Sequence, residues 1–181
     1  MIDLKFCSQC GANVEFRIPD GDNLHRHVCG DCGEIHYQNP KIVAGCIPLW
    51  QNRVLLCRRA IEPRHGLWTI PAGFMENRET LEQAAARETV EEACARVTID
   101  GLYGVYNIPH ISQVYMIFRG EIIDGEFAPG TESLETALYN EADIPWHELA
   151  FPVVTKALKR FFDDRRRGYF EPFLDYVEPR R

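Results

Sequence analysis

The 181 residues are 45% hydrophobic and 26% charged, the composition of a globular domain and not of a disordered or fibrous chain. The longest apolar run, Ile42 to Trp50, is interrupted by Gly45 and Pro48 and falls well short of the roughly 20 residues that cross a membrane. A net charge of −7 argues against nucleic-acid binding by the chain as a whole, which needs a basic face. A phosphate-bearing substrate stays open, because a metal ion can supply positive charge. The opening MIDLKFCSQC has neither a basic nor an apolar leader region, so a cytoplasmic location is expected.

Residues 1–38 carry four cysteines, few large aliphatics and turn-rich stretches such as Pro19-Asp20-Gly21-Asp22-Asn23, and Gln38-Asn39-Pro40 reads as a junction. Lys41–Trp50 and Arg53–Arg59 are two β-leaning runs joined at Gln51-Asn52, a hairpin signal. Residues 61–78 are irregular apart from the apolar stretch Leu67–Ile70. A helix is predicted over Leu81–Ala95. Thr80 with Gln83 forms a capping-box start, and the interior is rich in Ala, Glu, Gln and Arg. Val97–Tyr106 and Ser112–Ile123 read as strands separated by Pro109, and a short strand near Thr136–Tyr139 follows the Pro129-Gly130 loop. A second helix, Pro152–Arg165, sets Val153, Val154, Ala157, Leu158 and Phe161 on one side. The stretch from Gly168 onward mixes aromatics, proline and charge and receives no assignment. The expected organisation is a four-cysteine module over 1–38, an α/β (α+β) domain with a mixed sheet over 39–168, and a tail over 169–181.

Cys7-x-x-Cys10 and Cys29-x-x-Cys32 have the doubled spacing of a zinc ribbon. Glycines beside them (Gly11, Gly30, Gly33) suit tight knuckles. Four thiolates close a tetrahedral shell and leave no position for water, so the Zn²⁺ is expected to be structural, and to supply the folding energy of so small a module. The alternatives are a redox pair or two disulfides. Residues 1–36 hold three basic against six acidic side chains, which speaks against a ribbon that grips nucleic acid. Cys46, Cys57 and Cys94 sit apart in apolar surroundings and read as buried free thiols.

Within the first predicted helix, Glu88, Glu91 and Glu92 fall in a sector of about 100°. The opposite sector, with Ala86, Thr89, Val90 and Ala93, is expected to pack on the sheet. Carboxylates crowded in the C-terminal half of a helix repel one another and oppose its dipole. They form either a solvated acidic face or the oxygen ligands of a hard Mg²⁺ or Mn²⁺ ion.

The context upstream distinguishes these two readings. From Gly73 to Ala95 the chain resembles the Nudix box: Gly, five residues, Glu, seven residues, Arg-Glu, an aliphatic, any residue, Glu-Glu, any residue, Gly, an aliphatic. Gly73, Glu79, Arg87, Glu88, Glu91 and Glu92 occupy the matching positions. Thr89 stands where an aliphatic is usual, Cys94 replaces the second glycine, and Ala95 is a small final residue. The resemblance implies an αβα Nudix sandwich with a mixed sheet, preceded here by a zinc ribbon. It further implies Mg²⁺ on Glu88, Glu91 and Glu92, a bracing pair of Arg87 and Glu79, and attack of water on a diphosphate. A base from a later loop would come from Glu132 or Glu135.

The ribbon, Tyr37-Gln38-Asn39-Pro40-Lys41, Gly66-Leu67-Trp68-Thr69-Ile70-Pro71-Ala72-Gly73 and the stretch from Phe127 to Glu135 are similar to zinc-ribbon Nudix enzymes of the plant chloroplast FAD and ADP-ribose pyrophosphatase kind. That similarity implies AMP release from ADP-ribose or FAD. The runner-up is an NADH pyrophosphatase or NAD-cap-removing enzyme. Members of that group carry a Ser-Gln-Pro-Trp-Pro-Phe-Pro array, whereas this chain reads Tyr106-Asn107-Ile108-Pro109-His110-Ile111-Ser112-Gln113. A nucleotide-sensing regulator without activity would be expected to lack box carboxylates, and all are present. Arg58, Arg59 and Arg64 are candidate diphosphate contacts, Gly73 a candidate backbone contact, and Trp68, Tyr103 or Tyr106 candidate adenine stackers. The expected partner is a small-molecule nucleotide, with no nucleic acid or membrane, and the family resemblance suggests a homodimer.

Overall fold

The computed structural model describes residues 4–179, which fall into two units, Met1–Pro40 and Lys41–Arg181. In the first, strands β1 (Val14–Arg17), β2 (Arg26–Cys29) and β3 (Ile35–His36) form a small antiparallel sheet in that order. Its burial centres on Cys7, Val28 and Cys29, too little apolar surface to hold forty residues without a metal or cross-links.

The second unit is built on two strands buried on both faces. In β4 (Lys41–Trp50), every residue from Val43 to Leu49 is buried, as are Val54–Cys57 of β5 (Arg53–Arg59). Such continuous apolar runs are what a sheet covered on both sides requires. The period of two sorts them: Ala44, Cys46, Leu55 and Cys57 point to one layer, Ile47, Leu49, Val54 and Leu56 to the other. Gln51 and Asn52 both adopt positive φ (50° and 65°), the backbone of a two-residue hairpin turn.

The sheet runs β10-β5-β4-β9-β8-β11, where β8 is Val97–Ile108, β9 Gln113–Ile122, β10 Ser133–Tyr139 and β11 Phe173–Tyr176. Two short strands lie beside it: β6 (Trp68–Thr69) pairs with β5, and β7 (Ala72–Phe74) pairs with β4. The β4–β9 and β8–β11 pairs are parallel and the others antiparallel, so the sheet is mixed. Helix α1 (Leu81–Ala93) covers one face through Ala84, Ala85 and Ala93. Helix α2 (Pro152–Arg167) covers the other through Val153, Val154, Ala157, Leu158, Phe161 and Phe162. This is the αβα sandwich with a mixed sheet that the sequence resemblance implies.

Several boundaries move from their expected places. Helix α1 stops at Ala93, because Cys94, exposed where a buried thiol is expected, turns left-handed (φ 47°); its N–H donates to the Val90 carbonyl at 2.9 Å and the Ala95 N–H to the Thr89 carbonyl at 3.4 Å. Pro109 bends the chain into a single 3-10 turn, Pro109–Ile111, between β8 and β9. The unassigned stretch after Gly168 supplies an edge strand, β11. Its Phe173 packs edge-on against Tyr103 and Tyr106 at 5.2 and 5.3 Å, and Lys156 of α2 binds both the Asp175 carboxylate (3.0 Å) and the Tyr176 carbonyl (2.7 Å). Residues 180 and 181 of that stretch lie outside the described residues. No helix of the described residues is long and apolar enough to cross a membrane.

Candidate active site

In the first unit the sulfurs of Cys7, Cys10, Cys29 and Cys32 all lie within 4.8 Å of one another, with Cys7–Cys32 at 3.7 Å and Cys10–Cys29 at 3.5 Å. A tetrahedral zinc with Zn–S bonds of about 2.3 Å sets S···S separations of roughly 3.8 Å, and the cluster matches. None of the four is in a disulfide. Gly11 and Gly33 hold positive φ (80° and 74°) at the two knuckles. Their turns aim the N–H groups of Gln9 and Cys32 at the sulfurs of Cys7 and Cys29, each at 3.4 Å. His36 Nε2 lies 3.3 Å from the Cys7 sulfur.

In the second unit, α1 starts on the expected capping box: the Thr80 hydroxyl accepts from the Gln83 N–H (3.2 Å), and the Gln83 side chain accepts from the Thr80 N–H (2.8 Å). The face turned inward is not the one expected. Glu88 and Glu92 are buried (8% and 6% exposed) beside Ala84, Ala85, Thr89 and Ala93, whereas Val90 is 46% exposed and Ala86 only partly covered. Three small residues, Ala84, Ala85 and Ala93, suffice to seat the helix on the sheet, so its acidic edge tips under the loops on either side. Thr89 fits this buried position by donating its hydroxyl to the Ala85 carbonyl at 2.7 Å.

Arg87 organises the loop before the helix. Its Nε and Nη2 grip both oxygens of Glu79 (3.0 and 2.8 Å), Nη2 also reaches the Phe74 carbonyl (3.2 Å), and Nη1 reaches Glu88 (2.7 Å) and Glu91 (3.1 Å). Such a planar fork is what arginine offers and lysine does not. The Arg87 guanidinium, helped by the Glu76 N–H, holds the Glu79 carboxyl down at about 2. Gly73 lies across from Glu88, and a Cβ there would land on the Glu88 carboxylate. A side chain there would have to push the Glu88 carboxylate aside, so glycine lets that carboxylate sit against the loop.

Burial has the opposite effect on the inner carboxylates. It raises Glu88 above the ordinary carboxylate range, with Arg87 opposing the rise. It pushes Glu92 up to about 8, helped by the neighbouring Glu88 charge, and only the Ala72 N–H and Arg59 pull the other way. Glu92 Oε2 is buried with no hydrogen-bond partner. An orphaned anionic oxygen of this kind calls for a cation.

A third element closes the site. Ala128 N–H and Gly130 N–H donate to the Ala93 and Glu92 carbonyls, at 2.9 and 3.0 Å, which satisfies the C-terminal end of α1. A Cβ at Gly130 would collide with the Glu91 carbonyl, so this approach requires glycine. Glu132, at the end of that loop, raises the pKa of both Glu88 and Glu92 by its charge.

These elements surround a cleft of about 840 Å³, inside the size range of small-molecule sites. Of the expected residues, Glu88, Glu91, Glu92, Arg87, Gly73, Arg59 and Arg64 line it. Glu79 stands behind Arg87. Glu135 is not brought there: pairing with β5 begins at Ser133, so Glu135 belongs to the sheet edge opposite Arg58, 3.6 Å from its Nη1, and Glu132 takes the loop position instead. Arg58 also stays away, donating its Nε to the Gly66 carbonyl at 2.9 Å. Trp68, Tyr103 and Tyr106 are core side chains, 5%, 2% and 0% exposed. Trp68 packs edge-on against Tyr139, and Tyr103 donates to the buried Asp164 at 2.8 Å. Instead of those aromatics the cleft presents Phe74, Tyr115 and Phe151, with Ile108, His110, Val177 and Glu178. Nothing in the sequence marks these, because they come together only through strand pairing.

Comparison with known proteins gives two family matches: the NUDIX domain over residues 39–163 and the zinc-ribbon Nudix N-terminal domain over residues 5–38. The chain is 33% identical over 170 residues to the NAD-capped RNA hydrolase NudC of Vibrio atlanticus, covering 91% of this chain and 60% of that protein. It is 31% identical over 121 residues to the ADP-ribose pyrophosphatase of Methanocaldococcus jannaschii, covering 64% and 69%. The chain spans only 48–60% of the length of the NudC relatives it matches. A NUDIX hydrolase from Nitrosomonas europaea superposes with a TM-score of 0.94 at 57% identity, covering 97% of this chain and 100% of that one. An ADP-ribose pyrophosphatase from Streptococcus suis shares the fold alone, with a TM-score of 0.62 at 19% identity.

Proposed function

This chain belongs to the Nudix family, and we propose that it is a pyrophosphatase that cleaves the diphosphate of ADP-ribose or FAD and releases AMP. The observation that carries the reading is the buried pair Glu88 and Glu92, with one Glu92 oxygen unpartnered, at the wall of a cleft large enough for a nucleotide. Seven glutamates line that cleft (Glu62, Glu76, Glu88, Glu91, Glu92, Glu132 and Glu178) against three arginines (Arg59, Arg64 and Arg87). An acidic cleft repels a diphosphate unless cations intervene.

The donor set fits a hard divalent ion. Its ligands are oxygens only, from Glu88, Glu91 and Glu92, and Mg²⁺ or Mn²⁺ takes such ligands while leaving positions for substrate. Bound there, the ion supplies positive charge for the diphosphate and acidifies water. The protein's own groups do the rest. Arg87 and Glu79 hold the Gly73 loop against the helix. Arg59 and Arg64 offer guanidinium donors to phosphate oxygens. Glu132, which lines the cleft near the inner carboxylates, takes the proton of the attacking water, a role that the sequence alone leaves open among the box glutamates, Glu132 and Glu135. The four cysteines hold a structural Zn²⁺ in the first unit.

A second reading, hydrolysis of NADH or of NAD-capped RNA, has its own support in the identity to the NudC proteins. Against it stands the Ile108–Gln113 segment. Ile108, His110, Ile111 and Gln113 all line the cleft, so the different residues there bear directly on the substrate. The deciding experiment is a product analysis with Mg²⁺ over ADP-ribose, FAD, NADH and a nucleoside triphosphate. AMP from the first two at higher kcat/KM supports the proposal. Preference for NADH would establish the second reading, and preference for the triphosphate would refute both.

A further inference from the structure

The C-terminal strand does more than close the sheet edge. Because β11 runs parallel to β8, with Tyr176 opposite Asn107 and the Val177 N–H bound to the Asn107 carbonyl at 2.9 Å, the chain leaves the sheet at the same end as the 3-10 turn. It thereby brings Val177 and Glu178 into the lining of the cleft. In the strand order, β11 is separated from β4 by β8 and β9. Three strand spacings of about 4.8 Å put this wall roughly 14 Å across the sheet from β4, and β7, the strand that holds Gly73, pairs with β4 on the edge away from β9.

The chemistry of this end differs from that of the box. Phe151 is only partly covered and suits a flat ring, with the buried Ile108, Val153 and Val177 packed behind it. Glu178 is exposed, and its Oε1 accepts from the Tyr176 hydroxyl at 3.1 Å, which orients the carboxylate. An ionised carboxylate only accepts hydrogen bonds. It repels a phosphate and favours an uncharged group rich in N–H or O–H. The wall is held in place by Lys156, which grips Asp175 and the Tyr176 carbonyl from α2.

We propose that the C-terminal strand forms the nucleoside-reading wall of the cleft, with Glu178 accepting hydrogen bonds from a donor on that nucleoside, either its exocyclic amine or its ribose hydroxyls. This assignment rests on the pyrophosphatase reading and adds to it a specificity-determining residue far from the metal carboxylates.

The test compares the full-length protein with Glu178→Gln on ADP-ribose, on the inosine analogue that lacks the amine, and on the 2′-deoxy analogue that lacks a hydroxyl. The expected result is an about ten-fold rise in KM for ADP-ribose, the size of one exposed charge-assisted hydrogen bond, with kcat held within about two-fold. The penalty vanishes on whichever analogue already lacks the donor, which identifies the amine or the hydroxyl as the group read. Calorimetric titration of AMP, which has no diphosphate to cleave, in Mg²⁺ buffer shows the same weakening in Kd without turnover. Lys156→Met, which frees the strand but spares the carboxylate, raises KM in the same direction. A KM that Glu178→Gln leaves unmoved, a penalty equal on all three substrates, or a fall in kcat alone overturns the assignment. A wild-type protein that hydrolyses none of the three refutes the underlying substrate reading instead, and this assignment falls with it.

Discussion

The substitution Glu92→Gln removes a charge that the fold holds at a cost. In the magnesium-free protein the Glu92 carboxyl titrates at about 8, against an ordinary value of 4.5, chiefly because it is buried. At about 1.4 kcal/mol per pH unit, the gap between 4.5 and 8 amounts to about 5 kcal/mol of destabilisation once the group is ionised. The folded state holds a proton that the unfolded chain has already released. Stability therefore falls as pH rises from 4.5 to 8, and levels off above. The substituted glutamine side chain keeps an acceptor for the Ala72 N–H but buries an amide, which costs about 1–3 kcal/mol. The expected net gain at pH 8 is about 2–4 kcal/mol, or roughly 5–15 °C in Tm for a domain of this size. Thermal melts of both proteins at pH 5 and pH 8, with and without Mg²⁺, read it directly. The variant should melt at or below the wild type at pH 5 and above it at pH 8. Added Mg²⁺ should rescue the wild type far more than the variant, and hydrolysis by the variant should drop by about 100-fold or more. A variant no more stable than wild type at pH 8 without Mg²⁺ would refute the claim that this carboxylate awaits a cation.

Three further outcomes follow from the geometry. Gly73→Ala drives a methyl into the Glu88 carboxylate and should lower kcat by about 100-fold, the cost of a small misplacement in a catalytic constellation; parallel circular dichroism should show the fold retained. Cys94→Gly relieves a left-handed residue at the end of α1. It should raise stability in urea by about 0.5–1 kcal/mol, the strain of roughly 1–2 kcal/mol offset by the flexibility of glycine in the unfolded chain. Metal analysis should find one zinc per chain, lost in Cys29→Ser, while two disulfides and no metal would contradict the ribbon.

The elements visible from residue patterns were those with many periods or a marked turn. The run from Val43 to Cys57 shows two buried strands and a hairpin without any tertiary information, and the Thr80–Gln83 box marks where α1 begins. Strands of two to four residues such as β6, β7 and β11 contain no period to detect. The placement of β11 depends on Phe173 finding Tyr103 and Tyr106 some seventy residues earlier in the chain, which composition does not encode. The same burial explains why those tyrosines and Trp68 could be taken for adenine contacts: an aromatic that fills a core and one that lines a cleft look alike in sequence.

The carboxylates themselves were legible, because the spacing of Glu88, Glu91 and Glu92 places them together whatever surrounds the helix. Their burial was not. On helix geometry alone Val90 has as good a claim to the sheet as Glu92, and the acidic face would be solvated. What reverses the assignment is long-range: the Gly73 loop laid over Glu88, and the Gly130 loop bonded to the last carbonyls of α1. Both approaches use a glycine, and both cover a charge that water would otherwise stabilise. The packing of the helix by small alanines leaves room for this tilt, and the unpartnered Glu92 oxygen is its result. A solvated acidic face would have needed neither glycine. The two loops therefore turn an acidic helix edge into a wall with two buried carboxyls, Glu88 and Glu92, whose ionised forms need a positive partner.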